Sequence, residues 1–368
     1  MSTPLPPRRL LMTADAVGGV WTYALELARA LAPHGVEIAL AVMGPPPSAD
    51  QRAEAARHAN VTLHAGSFAL EWMDNPWADV DRAGDWLLEL AADFSPDLIH
   101  LNGYAHGALP FGVPVVAVAH SCVCSWWAAV RGGQAPATFD EYRRRVSAGL
   151  RAADLVVAPT RAMLRDLETH HGRVRAGVVV PNARDPRAYA PAAEKTPMIF
   201  AAGRAWDDAK NLRALDEAAS HVPWPVEVAG DCAGPAGGSA VFSHVRCLGR
   251  LPEADLRARL AAASIYALPA RYEPFGLSAL EAGLSGCALV LGDIPSLREV
   301  WGDAAAFVDP EDPGALAWSL NALITDEGRR SALADRARAR ALEYSPSRMA
   351  DGYLSAYARC RQREEVAA

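Results

Sequence analysis

The chain has 368 residues, enough for about two domains of ordinary size. Hydrophobic residues make up 51% and charged residues 21%, a balance too apolar for a disordered chain and sufficient for a sizeable core. With 36 basic against 43 acidic residues the formal charge is −7, which excludes the basic excess that a phosphate-tracking nucleic-acid binder needs. The six cysteines (122, 124, 232, 247, 287 and 360) are scattered, with no Cys-x-x-Cys pair, so a reducing cytoplasm is expected. The amino terminus has arginines before a short apolar run, without a long apolar stretch or a small-residue cleavage site, and reads as mature sequence. Only Lys195 and Lys210 are lysine, which is either arginine bias or a sign that Lys210 has a task.

Short apolar runs alternating with helical patterns give the rhythm of parallel α/β domains. The first series of predicted strands is 8–14, 36–42, 97–102, 113–120, 154–160 and 177–182. The second is 198–204, 226–231, 245–250, 264–270, 287–293 and 305–310. Between them lies ARDPRAYAPAAEKTP, rich in proline and alanine and without periodicity, which reads as a linker. The expected organisation is a domain over 1–183, a linker over 184–197, a domain over 198–345 and a terminal helix over 346–368 folding back on the first domain. Each domain is expected to hold a doubly wound sheet of about six strands, with ligands at the carboxyl ends of strands and the natural site in the cleft between halves. The stretch 109–130 carries no formal charge and is long enough to span a bilayer. Its prolines, Gly112 and His120 instead divide it into a buried strand, a loop and a helix start.

Three motifs can carry chemistry. After the first strand, Gly18 and Gly19 sit at the start of a helix with Val20, Ala24, Leu27, Ala28 and Leu31 on one face. Free amides and the positive dipole end favour a phosphate there, although a ligand-free turn reads the same way. The motif is not Gly-x-Gly-x-x-Gly, so a nicotinamide cofactor is not indicated. In ARYEPFGLSALEAGLSG, residues 270–286, Glu273 follows a strand and Glu281 lies about one turn inside the next helix. Carboxylates accept hydrogen bonds from sugar hydroxyls and the Phe275, Gly276 and Leu277 amides can donate to phosphate, a match for a sugar nucleotide; the alternative is acids placed for the helix dipole. Arg204 and Lys210, on either side of AWDDA, can stabilise a departing diphosphate without a metal, or simply lie solvated near Asp207 and Asp208.

Together these residues resemble the retaining GT-B fold glycosyltransferases of family 4, over nearly the whole chain. The likeness rests on GGVW near the start, His120 at a strand end, VPN at 180–182, GR followed by five residues and Lys210, LGRL at 248–251, the Glu-x₇-Glu block with PFG, and IPSLREVWGDAAAFVDPEDP. The resemblance implies two Rossmann-like domains and a nucleotide-sugar donor. It places Glu273 on donor hydroxyls, the amides of Phe275, Gly276 and Leu277 near sugar and phosphate, and Glu281 on the ribose. Arg204 and Lys210 would hold the diphosphate, Gly19 would approach it, Arg250 and Leu251 would border the base, and His120 would line the sugar. Two departures are Ser121, where an aspartate often follows the histidine, and Ala282–Gly283, where EAMA-like residues are usual.

Asp79 and Asp81 form an Asp-x-Asp pair of the kind that holds a cation in transferases of another fold, but here they read as solvated acids near a helix start. No His or Cys cluster has zinc spacing, and no metal or cofactor is expected. The expected partners are the donor, with UDP preferred over GDP, and an acceptor that is a saccharide, a lipid or a small molecule. Tyr104, Trp126 and Trp127 are the acceptor-side candidates; these tryptophans, with Trp72 and Trp77, either stack on a ligand or belong to the core. The run Arg143–Arg145 offers contact with an anionic inner membrane face, against the plainer reading of a solvated surface. Rival readings are a nucleotide-sugar epimerase on the same fold and a silent nucleotide-sugar-binding subunit.

Overall fold

Runs such as LIHL, VVAV, LVVA and ALVLG have no polar face, the mark of parallel strands covered on both sides. The computed structural model describes residues 7–232 and 241–367. Its strands are β1 Arg9–Asp15, β2 Glu37–Met43, β3 Val61–Ala65, β4 Leu98–Leu101, β5 Val115–Val118, β6 Leu155–Ala158 and β7 Gly177–Val179, then β8 Thr196–Ala202, β9 Val226–Ala229, β10 Arg246–Gly249, β11 Ala263–Leu268, β12 Ala288–Gly292 and β13 Ala306–Val308. The first seven form one sheet, in the order β3-β2-β1-β4-β5-β6-β7, and the other six form a second, in the order β10-β9-β8-β11-β12-β13. The pairings are parallel throughout.

The chain divides into two compact units, one holding 134–183, residues up to 125 and those from 346 on, the other holding 126–133 and 184–345. In the first, the helix Gly19–Leu31 lays Tyr23, Leu27 and Leu31 on Leu10, Met12 and Val116 of the sheet. The terminal helix Pro346–Ala367 closes the same core with Met349, Ala350, Tyr353 and Tyr357. Position 368 and the first six residues of the chain lie outside the described residues. In the second unit the period of two is explicit. Phe200, Tyr266 and Leu289 face Leu280 and Trp301 on one side of the sheet, and Ile199, Ala201, Ile265 and Val290 face Leu215 and Leu320 on the other.

Two sequence readings change. The first sheet has seven strands because Val61–Ala65, not anticipated, adds an edge strand whose residues are half-buried or exposed. A strand wet on one side lacks the apolar run that marks its neighbours. The stretch read as linker packs into the second unit: Tyr189 is buried, and β8 already starts at Thr196. The uncharged stretch 109–130 contains β5 and most of the helix Val123–Arg131, and among the described residues no helix is long and apolar enough to cross a membrane.

Candidate active site

In the second sheet the strand order reverses between β8 and β11, so the loops leaving these two strands separate and leave a crevice at their carboxyl ends. Lys210 lies on the β8 loop and Glu273 on the β11 loop. The two form an ion pair, with the side chains 16% and 13% exposed, too little for solvent to screen them fully. Two further links hold the loops together. The Arg271 amide donates to the Ala209 carbonyl at 2.9 Å, and the Asn211 side-chain amide donates to the carbonyls of Pro269 at 3.0 Å and Pro310 at 2.6 Å.

Arg204 is exposed and donates to Asp207 at 2.8 Å, with its guanidinium 5.3 Å from the Trp206 ring centre. Asp207 is buried, and also accepts from the Trp126 indole and the Ala209 amide, each at 3.1 Å. Burial pushes its carboxyl up, but the charges of Arg204 and Lys210 and these hydrogen bonds outweigh it and hold it below the usual range. Asp207 is thus an ionised anchor that orients Arg204, and the sequence reading had treated it only as a neighbour.

Glu273 also caps the helix Leu277–Leu284: one carboxylate oxygen accepts the Gly276 amide at 2.9 Å and the Phe275 amide at 3.4 Å. These two amides therefore face Glu273 rather than pointing outward, because the carboxylate supplies the acceptor that a helix start requires. Gly276 has φ of +90°, and a Cβ there would lie 3.2 Å from Leu297, so glycine is needed for the turn. Ser296 donates to the Glu273 carbonyl at 2.5 Å. Phe275 is buried edge-on against Tyr344, Leu277 is half-buried, Arg250 is exposed and Leu251 half-buried just after β10. Glu281 is 8% exposed and ion-paired with Arg184 at 2.9 Å, and Arg184 in turn donates to the Tyr189 hydroxyl at 3.1 Å. Arg184 came from the supposed linker, where nothing in the pattern marked it.

In the first unit Gly18 and Gly19 are exposed at the start of Gly19–Leu31, which has no side-chain cap. His120 follows β5 and is half-buried. Asn102 donates its side-chain amide to the Thr13 carbonyl at 2.6 Å, which aims its Oδ1 at two imidazoles: His120 Nε2 at 2.8 Å and His100 Nε2 at 3.2 Å. Both nitrogens therefore carry the proton, and His100 Nδ1 accepts from Tyr357 of the terminal helix at 2.7 Å. The Tyr23 ring stands edge-on to His120 at 4.4 Å. Burial pushes His120 down to about 3, and burial with the charge of His120 does the same for His100. His120 is thus a neutral imidazole. His100, Asn102 and Tyr357 were missed, although a histidine inside LIHL was the available signal.

The acceptor-side candidates fall elsewhere. Tyr104 is buried and donates to the Ser121 carbonyl at 2.7 Å. Trp126 and Trp127 are half-buried, edge to face at 5.8 Å, and cluster with the second unit. Arg143, Arg144 and Arg145 are ion-paired with Asp140, Glu141 and Asp81. Of the Asp-x-Asp pair, Asp79 accepts the Ala69 amide and meets Arg82, while Asp81 meets Arg145. The structure also gathers Cys122, Cys124 and His171, potential metal ligands whose distance in sequence concealed them. Cys122 meets His171 Nε2 at 3.3 Å and Ser147 meets Nδ1 at 2.9 Å, a satisfied hydrogen-bond chain.

Both sheets have the doubly wound topology of GT-B proteins. Similar solved structures include sucrose-phosphate synthase from Thermosynechococcus elongatus, with a TM-score of 0.78 at 17% identity over 98% of this chain and 100% of that one. Anabaena HepE in complex with UDP-glucose has a TM-score of 0.74 at 17% identity, over 94% and 98%. A model described as Glycosyltransferase Family 4 matches residues 17–188, and one described as Glycosyl transferases group 1 matches 240–340. A D-inositol 3-phosphate glycosyltransferase of Xylanimonas cellulosilytica is 29% identical over 95% of this chain and 94% of its own. An O-antigen chain mannosyltransferase B of Escherichia coli is 34% identical over 31% of this chain, a match spanning 30% of that protein's length. The chain belongs to the family 4, group 1 glycosyltransferases of GT-B fold, and is a glycosyltransferase.

Proposed function

We propose that the chain transfers a hexosyl group from a UDP-sugar to a hydroxyl acceptor with retention at the anomeric carbon, without a metal. The observation that carries this reading is the Lys210–Glu273 ion pair at the strand-order reversal, with Arg204 oriented nearby by Asp207. Cations fixed at a switch point can bind a diphosphate and stabilise the charge it gains as it leaves, the work that a metal does in other transferases. Glu273 and the Leu277 amide then serve the donor sugar and phosphate, while the Phe275 and Gly276 amides hold Glu273 in place. Glu281 takes the ribose, and Arg250 and Leu251 border the base. The uncapped amides at Gly18 and Gly19 are proposed to meet phosphate, and neutral His120 to hydrogen-bond the sugar. The bond between the anomeric carbon and the diphosphate oxygen breaks, the acceptor oxygen bonds to the same face, and its proton passes to the departing phosphate. UDP is favoured over GDP because HepE, the structural relative above, is complexed with UDP-glucose.

The test is a thermal-shift screen of UDP- and GDP-sugars followed by transfer assays with an acceptor panel, with and without EDTA. We expect a UDP-sugar to raise Tm, the product to keep the donor's anomeric configuration, and EDTA to change nothing. Lys210→Ala and Glu273→Ala should each lower kcat by about 100-fold. Near wild-type transfer in both variants would overturn the assigned roles, an inverted product would overturn retention, and loss of activity in EDTA would overturn metal independence.

A further inference from the structure

Cys122, Cys124, Cys287 and Cys360 are buried, whereas Cys232 is half-buried and Cys247 exposed. The two reachable thiols are also neighbours, with their sulfurs 2.6 Å apart. Topology brings them together. β9 and β10 are adjacent parallel strands, β10 is the edge of its sheet, Cys247 lies opposite Val228, and Cys232 follows the end of β9. The ladder is irregular between Cys247 and Gly249, and the Gly230 amide donates to the Gly249 carbonyl at 2.8 Å to hold the strand ends together.

We propose that Cys232 and Cys247 are a modification site, a thiol pair that a hydroperoxide converts into a disulfide tying the edge strand β10 to the segment leaving β9. One sulfur attacks a peroxide oxygen, the O–O bond breaks, and a sulfenic acid and one water form. The second sulfur displaces the sulfenic hydroxyl as another water. Two thiol hydrogens and two electrons thus reduce one hydrogen peroxide to two waters as the S–S bond forms. Either sulfur can attack first, since both thiols are reachable and the second lies beside the first. Arg250 directly follows β10, so the bond would also fix a group assigned to the base. That consequence rests on the proposed function, whereas the disulfide itself does not.

The test uses the full chain, reduced, desalted, treated with hydrogen peroxide and then labelled with N-ethylmaleimide in the native state before peptide mapping. Reduced protein should take label at Cys232 and Cys247 and at none of the four buried cysteines. Oxidised protein should lose both labels and yield the two peptides joined and lighter by two hydrogens, and dithiothreitol should reverse this. Cys232→Ser should abolish the joined peptide while Cys247 stays reactive. Persistent labelling of both thiols after peroxide, or separate sulfinic acids, would overturn the proposal. In a parallel titration with UDP-glucose we expect its Kd to differ at least threefold between the two states. Equal affinities would remove the link to the base, and absence of binding in both states would count against the proposed function and leave the disulfide standing.

Discussion

His120 and His100 are held neutral by burial within a hydrogen-bond chain that ends at Tyr357. Folding therefore lowers both imidazoles from about 6.5 to about 3. Between these values the unfolded chain binds protons that the folded chain does not, so the stability they contribute is complete above about pH 6.5 and declines as pH falls toward 3. Urea unfolding at pH 8, 6.5, 5.75 and 5 should show this decline before most carboxylates titrate. His100→Gln should flatten it, and an unchanged slope would contradict the burial argument. His120, together with His106 and His58, which burial also lowers, keeps part of the slope in the variant. The same shift means that no inflection between pH 5 and 8 in the transfer rate should belong to His120.

The helix Leu277–Leu284 is the element on which the donor-side reading depends, and its start has little freedom. A Cβ on Gly276 would combine φ of +90° with a 3.2 Å approach to Leu297. Gly276→Ala should cost about 1–2 kcal/mol of stability and lower transfer activity by displacing Glu273, read as a fall in the urea midpoint alongside kcat. At Gly230 a Cβ would lie 1.7 Å from the Gly203 carbonyl oxygen, so Gly230→Ala must separate the ends of β8 and β9 and should be the more damaging of the two. Much at this scale was legible in the sequence, because fully covered parallel strands are unbroken apolar runs and the β8 and β11 loops carry Lys210 and Glu273 in a recognisable spacing. The edge strand Val61–Ala65 was not, since a half-wet strand has no such run. Nor were Arg184 beside Glu281, Trp126 on Asp207, or the Cys122–Cys124–His171 group, because long-range pairings leave no local periodicity to read.

At the scale of the molecule, sequence order and folding unit part company, since the last helix belongs to the first unit. Met349, Ala350, Tyr353 and Tyr357 are each at most 2% exposed, and a Cβ-sized group on Gly352 would lie 2.8 Å from Val180, so this helix is seated at van der Waals distance on the end of a sheet formed far earlier in the chain. Burying an aromatic or large aliphatic side chain contributes about 1.5–3 kcal/mol, so these residues together match the whole stability of a typical domain, about 5–15 kcal/mol. Truncation after Ser345 should therefore unfold the first unit and leave His100 Nδ1 without its Tyr357 donor, while the second unit keeps its two cores, to which, among the described residues, none beyond Tyr344 contributes. Hydrogen exchange should show protection lost from β1, β4, β5 and β6 and retained in β8, β11 and β12. Tyr357→Phe keeps the ring and removes only the hydroxyl, so it should cost about 1–2 kcal/mol with both sheets still protected. Equal protection of the first sheet with and without the helix would mean that the early strands hold their fold unaided.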